Sequence, residues 1–259
     1  MAGFRRELRE RIVELQVRLY ACSARLQMQT DDEALHDLRI ALRRLRSLLR
    51  PLRKETLCEA LERAAAAVGS ASGPLRDLEV LASELDRRGQ PVAARLRRAW
   101  LTEGYARLLG GVPMQRLGIL LDDWPEDERR AVSDGEWRVR GRAVAKYLEK
   151  QREKLAAALR DPAHDRHRLR LLIKRVRYCA EAWPSRVSVD KAELKALRKA
   201  QSALGDWHDH WQWLQRAQTE PDLQSCATLW RENLARAERE ADQALAALLE
   251  YYPQGPSQS

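Results

Sequence analysis

Five basic side chains recur at alternating steps of three and four residues in one short stretch of this sequence. They are His36, Arg39, Arg43, Arg46 and Arg50. On an α-helix this spacing puts all five on one face, in a stripe about 21 Å long. Each guanidinium can hold two phosphate oxygens in its planar fork, so a row of them can bind several groups of one polyanion. The stretch therefore predicts an anion-binding site.

A second stretch repeats this pattern, and its first histidine, at 167, lies 131 residues after the one at 36. Its basic residues are His167, Arg170, Lys174 and Arg177. One more arginine adds charge just off each stripe, Arg44 in the first and Arg175 in the second. The segments 70–77 and 202–209 also match, at an offset of 132 residues. Two matches in the same order predict a duplicated helical unit with pseudo-two-fold symmetry.

An apolar stripe runs beside each basic one. Its members are Leu35, Leu38, Leu42, Leu45 and Leu49 in the first stretch, and Leu169, Ile173 and Val176 in the second. Such a seam packs on a neighbouring helix, so each basic stripe should lie at the edge of a core. Between His36 and Arg50 only Asp37 is acidic. Pairing within the helix therefore cannot neutralise the stripe, and we favour ligand binding over a solvated basic face.

The composition indicates a basic, all-helical protein. The 259 residues carry a net charge of +9 and are 44% apolar, which suffices for one large core or two smaller ones. Apolar residues recur at helical steps, and the alternation typical of strands is nowhere sustained. Glycines and prolines divide the chain into roughly ten helices. A polyanion is the partner that such a charge balance favours.

The cysteines and the apolar runs bear on the setting of the protein. Cys22, Cys58, Cys179 and Cys226 are scattered without a C-x-x-C pair, and the N-terminal FRRELRER lacks the apolar core of a signal peptide. We therefore expect a reducing, cytoplasmic setting. No stretch approaches the roughly 18 apolar residues of a membrane span, so we expect no membrane contact.

Local signals predict where several helices begin. Thr30 and Glu33 form a predicted capping box just before the first basic stripe. Asp77 and Asp209 each follow a turn marked by glycine, at Gly73 and Gly205, and are predicted to cap helix starts. We therefore expect these carboxylates to be structural.

Four motifs together resemble the CHAD domain, the conserved-histidine α-helical family. They are HDLRIALRRLR at 36–46, GPLRDLEV at 73–80, HRLRLLIKRVRY at 167–178 with Glu181 and Pro184 following, and LKALRKAQSALG at 194–205 leading to Asp209. The motifs follow in family order, and the resemblance extends over most of residues 1–250.

The resemblance implies an all-α fold of two pseudo-symmetric four-helix-bundle-like halves around a central basic groove or pore. The repeats would span about 1–124 and 125–252, followed by a disordered tail at 253–259. It also implies non-catalytic binding of inorganic polyphosphate and association with polyphosphate granules. The E-x-E-x-K strand of the triphosphate-tunnel domain found in many relatives is missing, so we expect a stand-alone binding module.

Carried over residue by residue, the resemblance puts a phosphate chain against both stripes. With the off-stripe arginines and with His208, which aligns with Arg76 in the repeat, the predicted polyphosphate site comprises His36, Arg39, Arg43, Arg44, Arg46, Arg76, His167, Arg170, Lys174, Arg175, Arg177, Lys195, Lys199 and His208. The segment 63–69, which matches 195–201, is mostly alanine. The first half is therefore expected to contribute fewer basic contacts.

Metal and catalytic chemistry are disfavoured by residue spacing. His208 and His210 are two residues apart and diverge by about 200° on a helix, so they do not share an ion easily. Neither stripe carries a carboxylate cluster for Mg²⁺ or a recognisable nucleophile arrangement. A phosphohistidine enzyme that uses His36 or His167 is a weaker alternative. We predict no metal, no cofactor and no catalytic residue.

Nucleic acid is the stronger alternative partner, since any basic stripe attracts phosphodiesters. Single-strand binders usually interleave aromatic rings with their cations, yet Tyr178 is the one aromatic residue within either stripe. We predict core packing for Trp100, Trp137, Trp183 and Trp230, and a core or partner-facing place for Trp207, Trp211 and Trp213. A third hypothesis is a helical scaffold that binds acidic proteins.

Overall fold

The fold is all-α, as predicted. The computed structural model describes residues 2–137 and 140–253, and within these ranges it contains no strand. The six residues 254–259 of the predicted disordered tail lie outside the described ranges. Two short 3₁₀ helices, Arg50–Leu52 and Pro221–Leu223, accompany the α-helices α1 (Ala2–Met28), α2 (Ala34–Leu49), α3 (Thr56–Ala71), α4 (Gly73–Arg87), α5 (Pro91–Leu109), α6 (Val112–Asp122), α7 (Trp124–Ser133), α8 (Arg142–Arg160), α9 (Arg166–Ala182), α10 (Lys191–Ala217) and α11 (Gln224–Leu249).

The chain forms two compact units, of which the first ends at Val144 and the second begins at Ala145. In the first unit α1 packs on α2 and α2 on α3, α4 packs on α5, and α6 and α7 contact α3. In the second unit α9 packs on α10, and α10 packs along α11. The basic stripes lie on α2 and α9, one in each unit. The pseudo-two-fold relation between the repeats stays a prediction.

Burial of the apolar seams determines where the two basic stripes lie. Every leucine of the α2 seam is at most 2% exposed, and Leu169, Ile173 and Val176 of α9 are fully buried. Burial of one such side chain stabilises the fold by about 1.5–3 kcal/mol. None of the described helices is long and apolar enough to cross a membrane.

The predicted capping box at the start of α2 is wrong. The helix begins at Ala34, and the Glu33 side chain makes no capping hydrogen bond. The Thr30 hydroxyl donates to Asp31, 3.0 Å away, and the Glu33 amide donates to the same carboxylate at 3.1 Å. Arg25 of α1 binds Asp31 at 2.6 Å and Asp37 at 2.7 Å. An arginine of the preceding helix therefore fixes this helix start.

The predicted turn at Gly205 is also wrong. Gly205 lies inside α10, which runs without a break, whereas Gly73 begins α4. The difference lies in the following residue, because Pro74 has no N–H to donate to the preceding turn, while Asp206 does. The residue that precedes α4 is Ser72. Asp77 and Asp209 therefore do not occupy capping positions.

Candidate anion-binding site

Arg39, Arg43 and Arg76 form a first cationic cluster beside α2. The Nη1 of Arg39 donates to the Gly69 carbonyl at 2.9 Å and to the Ser72 hydroxyl at 2.8 Å. Both acceptors are neutral, so they orient the guanidinium without cancelling its charge. Burial lowers the pKa of Arg39, and the charges of Arg76 and Arg43 act in the same direction.

Two carboxylates lie near the first cluster. Glu79 accepts from Arg76 at 2.8 Å and from the Tyr105 hydroxyl at 2.6 Å. Asp77 lies close enough to Arg39 for its charge to raise the pKa of that guanidinium. The positive potential at this cluster is therefore partly compensated.

The last turn of the α2 stripe carries an ion-pair network around Glu62. This carboxylate is fully buried, and its Oε1 accepts from the Nε atoms of Arg46 and Arg50 at 3.1 Å each. Arg53 binds the other oxygen, Oε2. Burial alone would raise the pKa of Glu62, but Arg53 and Arg46 hold it below its ordinary value. Arg46, a predicted phosphate contact, therefore has a partner inside the fold.

Glu62 was missed because sequence reasoning weighed only acidic residues within the stripe. Its partners Arg46 and Arg50 lie 16 and 12 residues away along the chain. A signal was present, since Glu62 stands beside Leu61 and on the same helical face as Cys58 and Ala65, all three of them buried. A carboxylate on the apolar face of a helix indicates a buried partner.

A second cluster of basic residues lies between α9 and α10, where His167, Arg170 and Lys174 surround His208. The ring centroids of the two histidines are 5.9 Å apart. Burial lowers the pKa of His208 to about 4, and Arg170, His167 and Lys174 add to the shift. The buried Nδ1 of His208 has no hydrogen-bond partner in the part of the chain that the structure describes. His208 is therefore neutral at pH 7 and surrounded by basic groups.

Arg177, at the end of the α9 stripe, has a carboxylate partner. Its Nε donates to Glu181 at 3.0 Å, and Arg198 of α10 reaches the same oxygen at 3.1 Å. The guanidinium carbon of Arg177 lies 4.9 Å from the ring centroid of Tyr178. The last arginine of the second stripe, like Arg46 in the first, therefore takes part in an ion pair within its own unit.

The other predicted contacts lie farther from the two clusters or make no contact with them that the structure shows. His36 is partly exposed in the first turn of α2, and Arg44 and Arg175 are exposed on α2 and α9. Lys195 and Lys199 are exposed on α10. Lys199 precedes His208 by nine residues, about two and a half helical turns, so it lies on the opposite side of α10. The structure does not bring these two lysines to the second cluster.

His208 and His210, the pair considered as metal ligands, contact different residues. His210 Nδ1 lies 2.7 Å from the Asp206 carbonyl, and its ring packs against Trp213 at 4.9 Å between centroids. His208 instead contacts His167. Among the described residues, no three His, Cys, Asp or Glu side chains come together as metal ligands. Burial raises the pKa of Cys179 to about 12, so this thiol is protonated at neutral pH.

The tryptophans range from buried to exposed. Trp183, Trp230 and Trp213 are at most 6% exposed, in agreement with a core position. Trp100 was predicted to be a core residue and is 49% exposed, which makes that prediction wrong. Trp211 is 44% exposed beside the second cluster. Helical periodicity alone did not identify Trp100 as a surface ring, whereas the exposure of Trp211 agrees with the partner-facing alternative predicted for it.

Comparisons with known proteins agree with this architecture. The family model described as CHAD domain matches residues 11–218. The crystal structure of the CHAD domain from the plant Ricinus communis is similar at 23% identity and a TM-score of 0.72, over 95% of this chain and 91% of that chain. PptA from Streptomyces chartreusis is similar at 20% identity and a TM-score of 0.58, over 93% of this chain and 98% of that chain. The search of curated proteins gave no match.

Replacement of Glu62 by Gln should lower the free energy of unfolding by about 2 kcal/mol. This is less than the ~3–5 kcal/mol for breaking a fully buried pair, because the three arginines are 23–52% exposed. The pKa of Glu62 is lowered by folding, so its contribution is present at neutral pH and is lost as the pH falls through the folded-state pKa. Urea unfolding at pH 7 and at lower pH measures this difference.

Glu59→Gln is the matched control, since Glu59 lies on the same helix and pairs with Arg63 at the surface, 3.6 Å away. It should cost less than about 0.5 kcal/mol. Equal effects of the two variants at pH 7 would show that Glu62 is not the charge that holds α2 to α3.

Proposed function

This chain belongs to the CHAD domain family, and we propose that it binds inorganic polyphosphate as a non-catalytic module. The observation that carries the proposal is the second cluster. There burial lowers the pKa of His208, and the positive potential of Arg170, His167 and Lys174 lowers it further, to about 4. A polyanion that contacts these groups would relieve their mutual repulsion.

The chemistry of the clusters suits a chain of phosphates. Arginine holds two phosphate oxygens in a plane, and lysine acts as a movable point charge. Arg39 donates hydrogen bonds to neutral oxygens, which orient its guanidinium without forming an ion pair. Polyphosphate presents anionic oxygens at every phosphorus, which lets one ligand contact the members of a cluster together.

Among the described residues no three His, Cys, Asp or Glu side chains come together as metal ligands, and the proposal includes no phosphoryl transfer. Such reactions rely on carboxylates that hold Mg²⁺ beside the phosphates. In the described part of the first cluster, Glu79 is bound by Arg76 and Tyr105, which leaves it poorly placed as a metal ligand. We therefore propose binding without turnover. Recruitment to polyphosphate granules in the cytoplasm is the role that the family resemblance suggests for such a module.

Competition binding tests this proposal. Long-chain polyphosphate is measured against single-stranded and double-stranded DNA, from low to physiological salt. We expect polyphosphate to stay bound at physiological salt and to displace DNA, because its negative charges follow one another without an intervening sugar and so lie closer together along the chain than those of a DNA strand. A variant with Arg39, Arg43, Arg170 and Lys174 changed to Gln should lose polyphosphate binding.

The matched control removes the same charge from exposed ion pairs. Arg6, Arg18, Arg107 and Arg129 each pair with a glutamate three or four residues away on their own helix, and their replacement by Gln should leave the affinity within about twofold. If DNA competes equally and both quadruple variants behave alike, the stripes are a general basic surface. The proposal would then give way to nucleic acid or acidic proteins as partners.

Polyphosphate affinity should also rise modestly as the pH falls from 7 towards 5. A bound polyanion favours the charged form of a histidine that it contacts and so raises the pKa of His208 from its free value of about 4. Binding then takes up protons and tightens as they become more abundant. Calorimetric titration in buffers of different ionisation enthalpy measures the uptake.

His208→Gln should reduce this proton uptake, whereas His164→Asn, at an exposed turn residue with φ of 40°, should not. An affinity that stays flat between pH 7 and pH 5 would contradict direct contact of His208 with the phosphate chain.

A further inference from the structure

A group of aromatic rings borders the second cluster on α10. Trp211 lies nearly parallel to His208, with 6.3 Å between ring centroids and 15° between planes. Trp207 lies 6.5 Å from Trp211 at an interplanar angle of 25°. His208 also contacts His167, with 5.9 Å between their ring centroids. The tryptophans therefore lie next to the basic residues of the second cluster.

These rings differ in how far they are covered. The guanidinium carbon of Arg166 lies 6.0 Å from the Trp207 ring centroid, and Asp242 holds Arg166 through two contacts of 2.9 Å. Trp213, two residues after Trp211, is 6% exposed and packs against Trp230. Trp211 is 44% exposed. Trp211, the tryptophan whose ring plane is most nearly parallel to that of His208, is therefore also the most exposed tryptophan of α10.

An open indole beside fixed cations is the arrangement that nucleotide-binding surfaces use. Any nucleobase can stack on an aromatic ring, and the neighbouring cations hold the phosphates to which the base is attached. A bare phosphate chain has nothing that would use the indole. The pairing of Trp211 with the second cluster therefore fits a ligand that has both a base and several phosphates.

We propose that Trp211 forms a nucleobase subsite, so that the second unit binds nucleoside 5′-polyphosphates. The base stacks on Trp211, and the phosphates extend over His208 towards His167, Arg170 and Lys174. This inference rests on the proposed function, since it requires that the second cluster binds phosphates. It adds a class of ligand that carries a base at one end of its phosphate chain.

The arrangement favours a nucleotide over a continuous single strand. A single-stranded nucleic acid needs aromatic rings interleaved with cations along its path. Along the α9 stripe the aromatic residue is Tyr178, which is 9% exposed and accepts a hydrogen bond from Gln201 at 2.8 Å. Stacking is thus available at one end of the second cluster, and one base followed by a run of phosphates matches that order.

The test compares ATP with inorganic tripolyphosphate in the full chain, without divalent cations. Stacking of one base contributes enough that Trp211→Ala should weaken ATP binding at least about fivefold. Tripolyphosphate, which has the same number of phosphates and no base, should change by less than about twofold. Trp211→Tyr should restore most of the ATP affinity, because the smaller ring still stacks.

Trp100→Ala is the matched control, since Trp100 is similarly exposed, at 49%, and lies on α5 in the first unit. It should leave both affinities unchanged. An ATP affinity that is the same in wild type and Trp211→Ala, while tripolyphosphate binds, would overturn the inference and leave the proposed function standing. If neither tripolyphosphate nor long-chain polyphosphate binds the wild type, the proposed function fails and this inference with it.

A single-stranded oligoadenylate separates the remaining alternative. We expect Trp211→Ala to weaken binding of the oligoadenylate by no more than it weakens binding of ATP, because one indole can stack one base. A larger loss for the oligonucleotide than for ATP in Trp211→Ala would assign the ring to single-stranded nucleic acid and overturn the nucleotide proposal.

Discussion

Repulsion between like charges on one helix face is the constraint to which the rest of this structure responds. Neighbouring members of a stripe are one turn apart, about 6 Å, so each pair of cations costs about 0.7 kcal/mol in water and about 3 kcal/mol at an effective dielectric constant of 20. Each leucine of the adjoining seam contributes about 1.5–3 kcal/mol. Five of them are buried in α2. The seam therefore holds together cations that would otherwise separate.

The basic residues at the two ends of each stripe make different contacts. Near the C-terminal end, Arg46 and Arg50 meet the buried Glu62, and Arg177 meets Glu181. These pairs bind neighbouring parts of each unit together. Towards the N-terminal end lie the clusters, where Arg39 is held by neutral oxygens and His208 is kept uncharged by its surroundings. A structural role and the proposed ligand-binding role thus fall at opposite ends of each helix, a division that the uniform basic pattern of the sequence does not reveal.

Features that depend on local periodicity were predictable from the sequence. The 3-and-4 spacing identified the helices α2 and α9, and every predicted seam residue is buried. Features that depend on a partner from another helix were not predictable in this way. Arg25 forms an ion pair at the start of α2, where a capping box was predicted, and Glu62 forms an ion pair with Arg46. The glycine signal was also misleading, since it predicted a turn at Gly205 as at Gly73, although no proline follows Gly205. Exposure of Trp211 depends on how α10 lies against its neighbours, which the helical pattern alone does not determine.

The central claim is that particular cations, rather than the total basic charge, bind the polyanion. The most direct measurement is the salt dependence of polyphosphate affinity for two double variants of α2 that remove equal charge, Arg39→Gln with Arg43→Gln and Arg46→Gln with Arg50→Gln. The first should weaken binding and reduce the slope of log affinity against log salt by about one to two. The second should leave the slope nearly unchanged and lower the free energy of unfolding, because Glu62 loses two partners. Equal losses of affinity and slope in both variants would contradict the claim.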